Sequence, residues 1–228
     1  MTNTTTEQLK NTFRLTLSKF SHEIRNPISL INSELLLMVS THPELAGYKE
    51  WEEIMENMEY IRELLNDLSC YSNAGHLRLE PTDLNKYLSS IISSVKPTFE
   101  YLGITFVTDC PHTLPTLPVD RIKLRQAILN LLRNAQEAVP SPGGRITFRV
   151  YASAQAVYIS IVDNGCGIPP EVQKDIFSPF ITFKSTGSGL GLTVTKEIVE
   201  AHGGRIEFES TPDQGSLFRI ILASPFPG

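Results

Sequence analysis

Val157-Tyr158-Ile159-Ser160-Ile161-Val162 leads without a break into Asp163-Asn164-Gly165-Cys166-Gly167-Ile168-Pro169, and the reading of this stretch decides the fold of the second half of the chain. The first six residues are a β-branched and aromatic run of strand character, and the seven that follow are turn-forming. An aspartate at the end of such a strand can accept a hydrogen bond from the exocyclic amine of adenine, whereas guanine would present a carbonyl oxygen and be repelled. The glycines permit positive φ and let backbone approach a flat base. A plain Asx turn would use the same residues, so the stretch alone leaves both readings open.

Upstream, helical periodicity occupies Asp120 to Val139, and within it Asn130 and Asn134 share one face beside Ile128, Leu131 and Ala135. Mg²⁺ prefers oxygen ligands and keeps several waters, so an Asn carbonyl together with phosphate oxygens suits it. Surface Asn at helical spacing is nevertheless common. Downstream, Gly187-Ser188-Gly189-Leu190-Gly191-Leu192 follows a Ser/Thr-rich loop and opens a helix running from Leu190 to Ala201. The first amides and positive end of that helix suit a triphosphate. The cluster lacks the Gly-Lys-Ser/Thr ending of a Walker loop and the spacing of the dinucleotide fingerprint. Helix punctuation would also account for its glycines.

Further strand-like runs lie at Ile104 to Val107, Arg145 to Ala152, Arg205 to Glu209 and Leu217 to Leu222. Short turns at Ala154-Gln155 and Thr211 to Gly215 make their neighbours antiparallel hairpins. The expected architecture is α+β: a two-layer α/β sandwich with its helices on one face.

The first third of the chain has a different period. Phe13, Leu17, Phe20, Ile24, Ile31, Leu35 and Met38 alternate three and four apart, with Pro27 and Ile28 filling the one gap, as do Trp51, Ile54, Met58, Ile61, Leu65 and Leu68. A polar break, Ser40 to Gly47, separates the two runs, which predicts a helical hairpin. Two narrow stripes cannot cover each other's outer edges, so pairing with a second copy into a dimeric four-helix bundle is expected, the alternative being packing against the chain's own second domain. Pro27 predicts a kink near residues 22 to 27. Asn73, Gly75 and an expected turn at Glu80-Pro81-Thr82-Asp83 mark the change of character, with Thr82 or Asp83 capping a helix from Leu84 to about Val95. The boundary falls between a domain at 1–76 and one at 77–228.

Composition narrows the classes. With 228 residues, 41% hydrophobic and 20% charged, the chain is globular and long enough for two domains. Lys and Arg number 20 against 25 Asp and Glu, a net charge of −5, so nucleic acid is not an expected partner. Cys70, Cys110 and Cys166 are odd in number and far apart, suggesting neither a disulfide framework nor a zinc site, and a reducing compartment fits. Met1 to Lys10 is polar, and no apolar run approaches the roughly 20 residues that span a bilayer. The chain as written reads as cytoplasmic, and a longer parent could carry a membrane attachment upstream.

His22 lies two residues from both Phe20 and Ile24, which turns it away from the apolar seam and toward water, where a merely solvated histidine would also sit. Its neighbours add information. Phe20-Ser21-His22-Glu23-Ile24-Arg25-Asn26-Pro27 resembles the phosphoacceptor box of the sensor histidine kinases. The Asn130/Asn134 helix, the Asp163 turn, Phe177-Ser178-Pro179-Phe180 and the glycine-rich helix start resemble, in this order, the ATP-binding fold shared by histidine kinases, gyrase, Hsp90 and MutL. Together the resemblance covers about residues 10 to 224. The His-Glu-Ile-Arg-Asn-Pro form is also similar to that of the sporulation sensor kinases of endospore-forming bacteria.

The resemblance implies a homodimeric autokinase. His22 would be the phosphorylated nucleophile, Glu23 would orient or deprotonate its imidazole, and Asn26 would position a water for phosphatase chemistry. Asn134 would hold Mg²⁺, Asn130 would assist at the phosphates, and Asp163, Gly165 and Gly167 would bind the adenine of ATP. Gly187, Gly189, Leu190 and Gly191 would lie at the phosphates, and Lys184 would contact the γ-phosphate. Residues from Asn164 to Ser188 would form a mobile lid. Implied partners are the receiver domain of a response regulator and a small inhibitory protein on the bundle. Ser216 stands where the family more often has Thr, which keeps the hydroxyl. Two rivals from other classes are an ATP-driven dimer clamp of the gyrase and Hsp90 type, and a phosphotransfer scaffold without ATP.

Overall fold

The computed structural model describes residues 2–182 and 187–224. It divides into two units, residues 2–73 with 187–190 and residues 74–182 with 191–224.

In the first unit the heptad-spaced residues form two long helices, α1 (Thr2–Thr41) and α2 (Lys49–Asn73), joined through a 3-10 turn at Pro43–Gly47. α1 continues through Pro27. The stripe of α2 does its packing against α1: Met58 and Leu65 are buried, with Ile61 and Leu68 half-buried beside them. The stripe of α1 is only partly used, because Phe13, Phe20, Ile31 and Met38 remain 44 to 53% exposed. No helix among the described residues is long and apolar enough to cross a membrane.

The second unit contains β1 (Glu80–Asp83), α3 (Leu84–Tyr101), β2 (Thr105–Asp109), β3 (Thr116–Val119), α4 (Arg121–Ala138), β4 (Arg145–Ala152), β5 (Ala156–Asp163), α5 (Gly191–Ala201), β6 (Arg205–Thr211) and β7 (Gly215–Ala223). Five strands form one sheet in the order β2-β4-β5-β7-β6, parallel between β2 and β4 and antiparallel elsewhere. Period-two alternation puts Val157, Ile159, Ile161 and Asp163 of β5 on the buried side, so the aspartate closes the inward row. α4 and α5 pack on that sheet through Leu124, Ile128, Leu131, Val194 and Ile198, all 1% exposed or less.

Two expectations are corrected. Glu80-Pro81-Thr82-Asp83 is not a turn but strand β1, pairing antiparallel with Thr116–Val119 so that Pro81 faces Pro118. In a two-stranded ladder the missing proline N–H groups cost little when they point outward. The helix capped by Asp83, whose side chain accepts from the Lys86 amide at 3.1 Å, does not end near Val95 but runs through Pro97 to Tyr101. Its last turn is held by tertiary contact: Phe99 is 2% exposed and meets the Phe106 ring edge-on at 4.9 Å.

Asp120 caps α4, its Oδ1 accepting from the amides of Ile122 and Lys123, each at 3.1 Å, and its Oδ2 accepting from the Arg78 amide at 2.8 Å. Its own amide donates to His202 Nε2 at 3.0 Å, while His202 Nδ1 donates to the Ile198 carbonyl at 2.7 Å. Burial holds the His202 pKa below its ordinary value; the Ile198 carbonyl and Asp120 carboxylate pull it up, and Lys123 pushes it down. Because the folded state prefers the neutral ring, this contribution to stability is full above the unfolded histidine pKa of about 6.5 and is lost as pH falls through the lower folded value. The melting temperature is expected to fall below about pH 6.5, and His202→Gln to flatten that acid limb. A variant that keeps the full slope would show that other groups carry it.

Candidate functional site

Asp163 is 6% exposed. Its Oδ1 accepts the amides of Gly165 at 2.8 Å and Ser216 at 3.2 Å, which locks the carboxyl across the start of the loop and the start of β7. Oδ2 has no hydrogen bond among the described residues and is left for an outside donor. Burial pushes the carboxyl up, and the two amides partly offset that. The loop after it must be glycine at two points. A Cβ on Gly165 would lie 2.6 Å from the Ala138 carbonyl oxygen, and one on Gly167, at φ +67, would lie 2.1 Å from that of Thr211.

Two residues that sequence reasoning did not single out hold this loop. Ser210 Oγ accepts the Ile168 amide at 2.8 Å and lies 2.9 Å from Ser216 Oγ, while Gln173 Nε2 donates to the carbonyls of Ile168 at 2.8 Å and Ser210 at 3.1 Å. Neither carries a sequence signal, because a serine and a glutamine are ordinary in a strand and a turn. The hydroxyl of Ser216, noted for its place, takes part in this relay.

Asn130 turns out to be tied to the helix start opposite it. Its Nδ2 donates to the Gly191 carbonyl at 3.2 Å, joining α4 to the first residue of α5. Asn134, one turn further along α4, is half-buried. Among the described residues nothing crowds Gly191: the atoms nearest to a Cβ placed there would be those of the Asn130 amide, at 3.9 Å. That leaves room for an anion at the N-terminus of α5. Thr193 Oγ1 donates to the Phe177 carbonyl at 3.0 Å, and the Phe177 ring meets Phe208 edge-on at 5.7 Å, anchoring the Phe177-Ser178-Pro179-Phe180 segment to α5 and β6.

Thus Asn130, Asn134, Asp163, Gly165, Gly167 and Gly191 all belong to the second unit. Gly187, Gly189 and Leu190 fall in the first, where the Ser188 hydroxyl donates to the Asp67 carboxylate and the Leu190 amide donates to Ser188 Oγ at 3.2 Å. Lys184 lies outside the described residues. Among the described residues no group of three or more His, Cys, Asp and Glu could hold a metal ion. The Asn134 side chain carries a neutral amide oxygen, a donor of the kind that Mg²⁺ takes together with phosphate oxygens and water.

His22, Glu23 and Asn26 form an exposed band on α1, whereas Ser21 is buried and Ile24 and Arg25 are half-buried. Arg25 Nη2 donates to Ser69 Oγ at 2.8 Å and to the Leu65 carbonyl at 3.4 Å, tying the band's turn to α2.

Comparison with known proteins adds the following. Residues 119–225 match the family described as histidine kinase-, DNA gyrase B-, and HSP90-like ATPase. The chain is 31% identical over 203 residues to the signal transduction histidine-protein kinase AtoS of Escherichia coli (strain K12), covering 89% of this chain and 33% of AtoS. It is 30% identical over 203 residues to the sensory histidine kinase/phosphatase NtrB of Salmonella typhimurium, covering 84% of this chain and 57% of NtrB. It thus spans between a third and somewhat over half of the length of these relatives. Among solved structures, histidine kinase ThkA in complex with the response regulator protein TrrA is similar with a TM-score of 0.68 at 26% identity, over 96% of this chain and 66% of that one. Full-length ShkA in complex with AMPPNP shares the fold, with a TM-score of 0.76 at 24% identity over 93% of this chain and 46% of that one.

Proposed function

We propose, from the match of residues 119–225 to the histidine kinase-, DNA gyrase B-, and HSP90-like ATPase family, that the chain is the core of a sensor histidine kinase, phosphorylating its own His22 from ATP and passing the phosphoryl group to an aspartate of a response regulator. The observation that carries this reading is the pairing in one chain of a buried Asp163 with an open Oδ2 and an exposed His22-Glu23-Asn26 band on a long helix. A clamp-type ATPase has use for the first and none for the second.

In this mechanism Asp163 Oδ2 accepts the adenine amine, and the loop from Asn164 to Gly167 lies along the base. The phosphates extend toward the N-terminus of α5 at Gly191, whose position Asn130 sets. Gly187, Gly189 and Leu190 serve the phosphates and Lys184 contacts the γ-phosphate, and residues from Asn164 to Ser188 act as the mobile lid. Asn134 would hold Mg²⁺ through its amide oxygen, and the ion would supply charge neutralisation at the phosphate oxygens. Glu23 holds the proton on one imidazole nitrogen of His22, leaving the lone pair of the other free to attack the γ-phosphorus. The P–N bond forms as the bond to the β–γ bridging oxygen breaks, and ADP leaves with that electron pair. In the reverse sense of signalling, Asn26 orients a water toward the phosphorylated regulator, a role in keeping with the kinase/phosphatase named among the relatives.

The helices act as the dimerisation and phosphotransfer domain (1–76) and the rest as the ATP-binding domain (77–228). A second copy would cover Phe13, Phe20, Ile31 and Met38, which α2 leaves exposed. The regulator docks on the His22 face, a small inhibitory protein on the base of the bundle, and a longer parent would bring a sensor, membrane-attached or sporulation-linked.

The test is the chemistry of the product. With γ-labelled ATP and Mg²⁺ the chain is expected to acquire label that is lost in acid and survives mild base, because protonation of the free ring nitrogen makes imidazole a good leaving group. Asn134→Ala is expected to reduce that label by about 100-fold or more, through loss of a group that holds charge-stabilising metal at the phosphates. Acid-stable label, or full labelling with a chelator present, would refute the metal-assisted phosphohistidine reading, and ATP turnover with no label on the chain would favour the clamp-type ATPase instead.

A further inference from the structure

Arg25 stands between Glu23 and Asn26 in the exposed band, yet its side chain turns inward. Its Nη2 reaches Ser69 Oγ at 2.8 Å and the Leu65 carbonyl at 3.4 Å, two acceptors on the same turn of α2. The Leu65 carbonyl already serves the helix's own bond from the Ser69 amide, so the guanidinium takes its second lone pair. A planar fork suits two acceptors at fixed separation, which an ammonium does not.

Two neighbouring features make this contact more than a surface bond. Pro27 lies two residues on, inside α1. It has no N–H for the Glu23 carbonyl and its ring presses on that turn, so the helix's own ladder is weakest where it carries His22 and Asn26. The fully buried polar group on the same stripe is Ser21, four residues before Arg25. It is 0% exposed, and its hydroxyl has no partner among the described residues. At this level of the hairpin Arg25 is thus a polar tie between the weakened turn and α2.

We propose that Arg25 is a positioning residue for phosphoryl transfer: clamped to Ser69 and Leu65, it sets the pitch of the His22 turn so that the imidazole meets the γ-phosphorus in line. The inference rests on the autokinase reading of His22. In-line transfer tolerates little displacement, and a misplacement of about 1 Å costs about 100-fold in rate.

The experiment uses the whole chain and six variants, Arg25→Ala, Arg25→Lys, Ser69→Ala, Ser69→Thr, Ser21→Ala and the double Arg25→Ala/Ser69→Ala. Two readouts are taken: the initial rate of acid-labile labelling against ATP concentration, and hydrogen exchange of the amides of residues 22–28. Arg25→Ala is expected to lower kcat about 100-fold with the KM for ATP unchanged, and Arg25→Lys to recover only part of it. Ser69→Ala should lower kcat less, Ser69→Thr should restore it, and the double variant should be no worse than Arg25→Ala because both changes remove one contact. Exchange of residues 22–28 should rise in Arg25→Ala while the rest of α2 keeps its protection. Ser21→Ala, which removes an unpartnered hydroxyl from the same stripe, should keep the wild-type rate.

The proposal is overturned if Arg25→Ala stays within about twofold of wild-type kcat, if the loss appears in KM, or if Ser21→Ala is as damaging as Arg25→Ala. Absence of acid-labile label on the wild-type chain would instead refute the autokinase reading. The exchange measurement decides the clamp even then, since unchanged exchange in Arg25→Ala refutes it without reference to activity.

Discussion

His22→Gln is expected to abolish labelling of the chain from γ-labelled ATP, down to background, and to leave ATP affinity as it is. The size of the effect follows from chemistry: glutamine has no nitrogen lone pair available to attack phosphorus, because its amide nitrogen is conjugated with the carbonyl. The selectivity follows from placement. His22 is exposed on α1, whereas Asp163, Asn130 and Gly191 belong to the other unit, with hydrogen bonds running to Gly165, to Ser216 and to one another. An exposed glutamine is also a good helix former, so folding is not expected to suffer. Labelling kinetics and calorimetric titration with a non-hydrolysable ATP analogue check the two halves separately. Label persisting on the variant would place the acceptor at another residue.

The second large effect runs the other way. Asp163→Asn is expected to weaken ATP binding by about 1.5–3 kcal/mol, or about 10- to 150-fold, while the fold is kept. An Asn at this position can keep its carbonyl oxygen on the amides of Gly165 and Ser216, since those are the bonds that Oδ1 makes. Its NH₂ then stands where Oδ2 stood and meets the adenine amine donor to donor. Stability should hold or rise slightly, because burial pushes the Asp163 carboxyl up and its charged form is the strained one at neutral pH. A neutral amide removes that cost. Unchanged affinity by calorimetry, with melting unchanged, would remove Asp163 from the adenine site.

Much of this was legible in one dimension because it is local. The strand Arg145 to Ala152 is read from alternation and recurs as β4 with the same bounds. The helical period read from Asp120 to Val139 recurs as α4, and the heptad spacing of α2 survives folding as its contact stripe on α1. Period-two alternation even carries Asp163 to the buried face of β5 once the strand is recognised. In each case the signal lies within a few residues of the position it describes, where backbone geometry alone relates sequence spacing to direction.

What escaped that reading depended on partners far along the chain. Glu80-Pro81-Thr82-Asp83 has turn composition, and only pairing with Thr116–Val119 makes it a strand. Pro97 looks like the end of a helix, and only the burial of Phe99 against Phe106 carries α3 past it. Asn130 was legible as a polar residue on the right face, but its bond to the Gly191 carbonyl spans 61 residues. Arg25 and Ser69 are 44 apart. Propensity and periodicity, being properties of neighbours in the chain, were enough to say which elements form and which residue types share a face of each. Which of those polar groups are spent on holding the fold, and which are left open for chemistry, was settled only by packing, because a hydrogen bond across α1 and α2, or across α4 and α5, exists only when both helices are already in place.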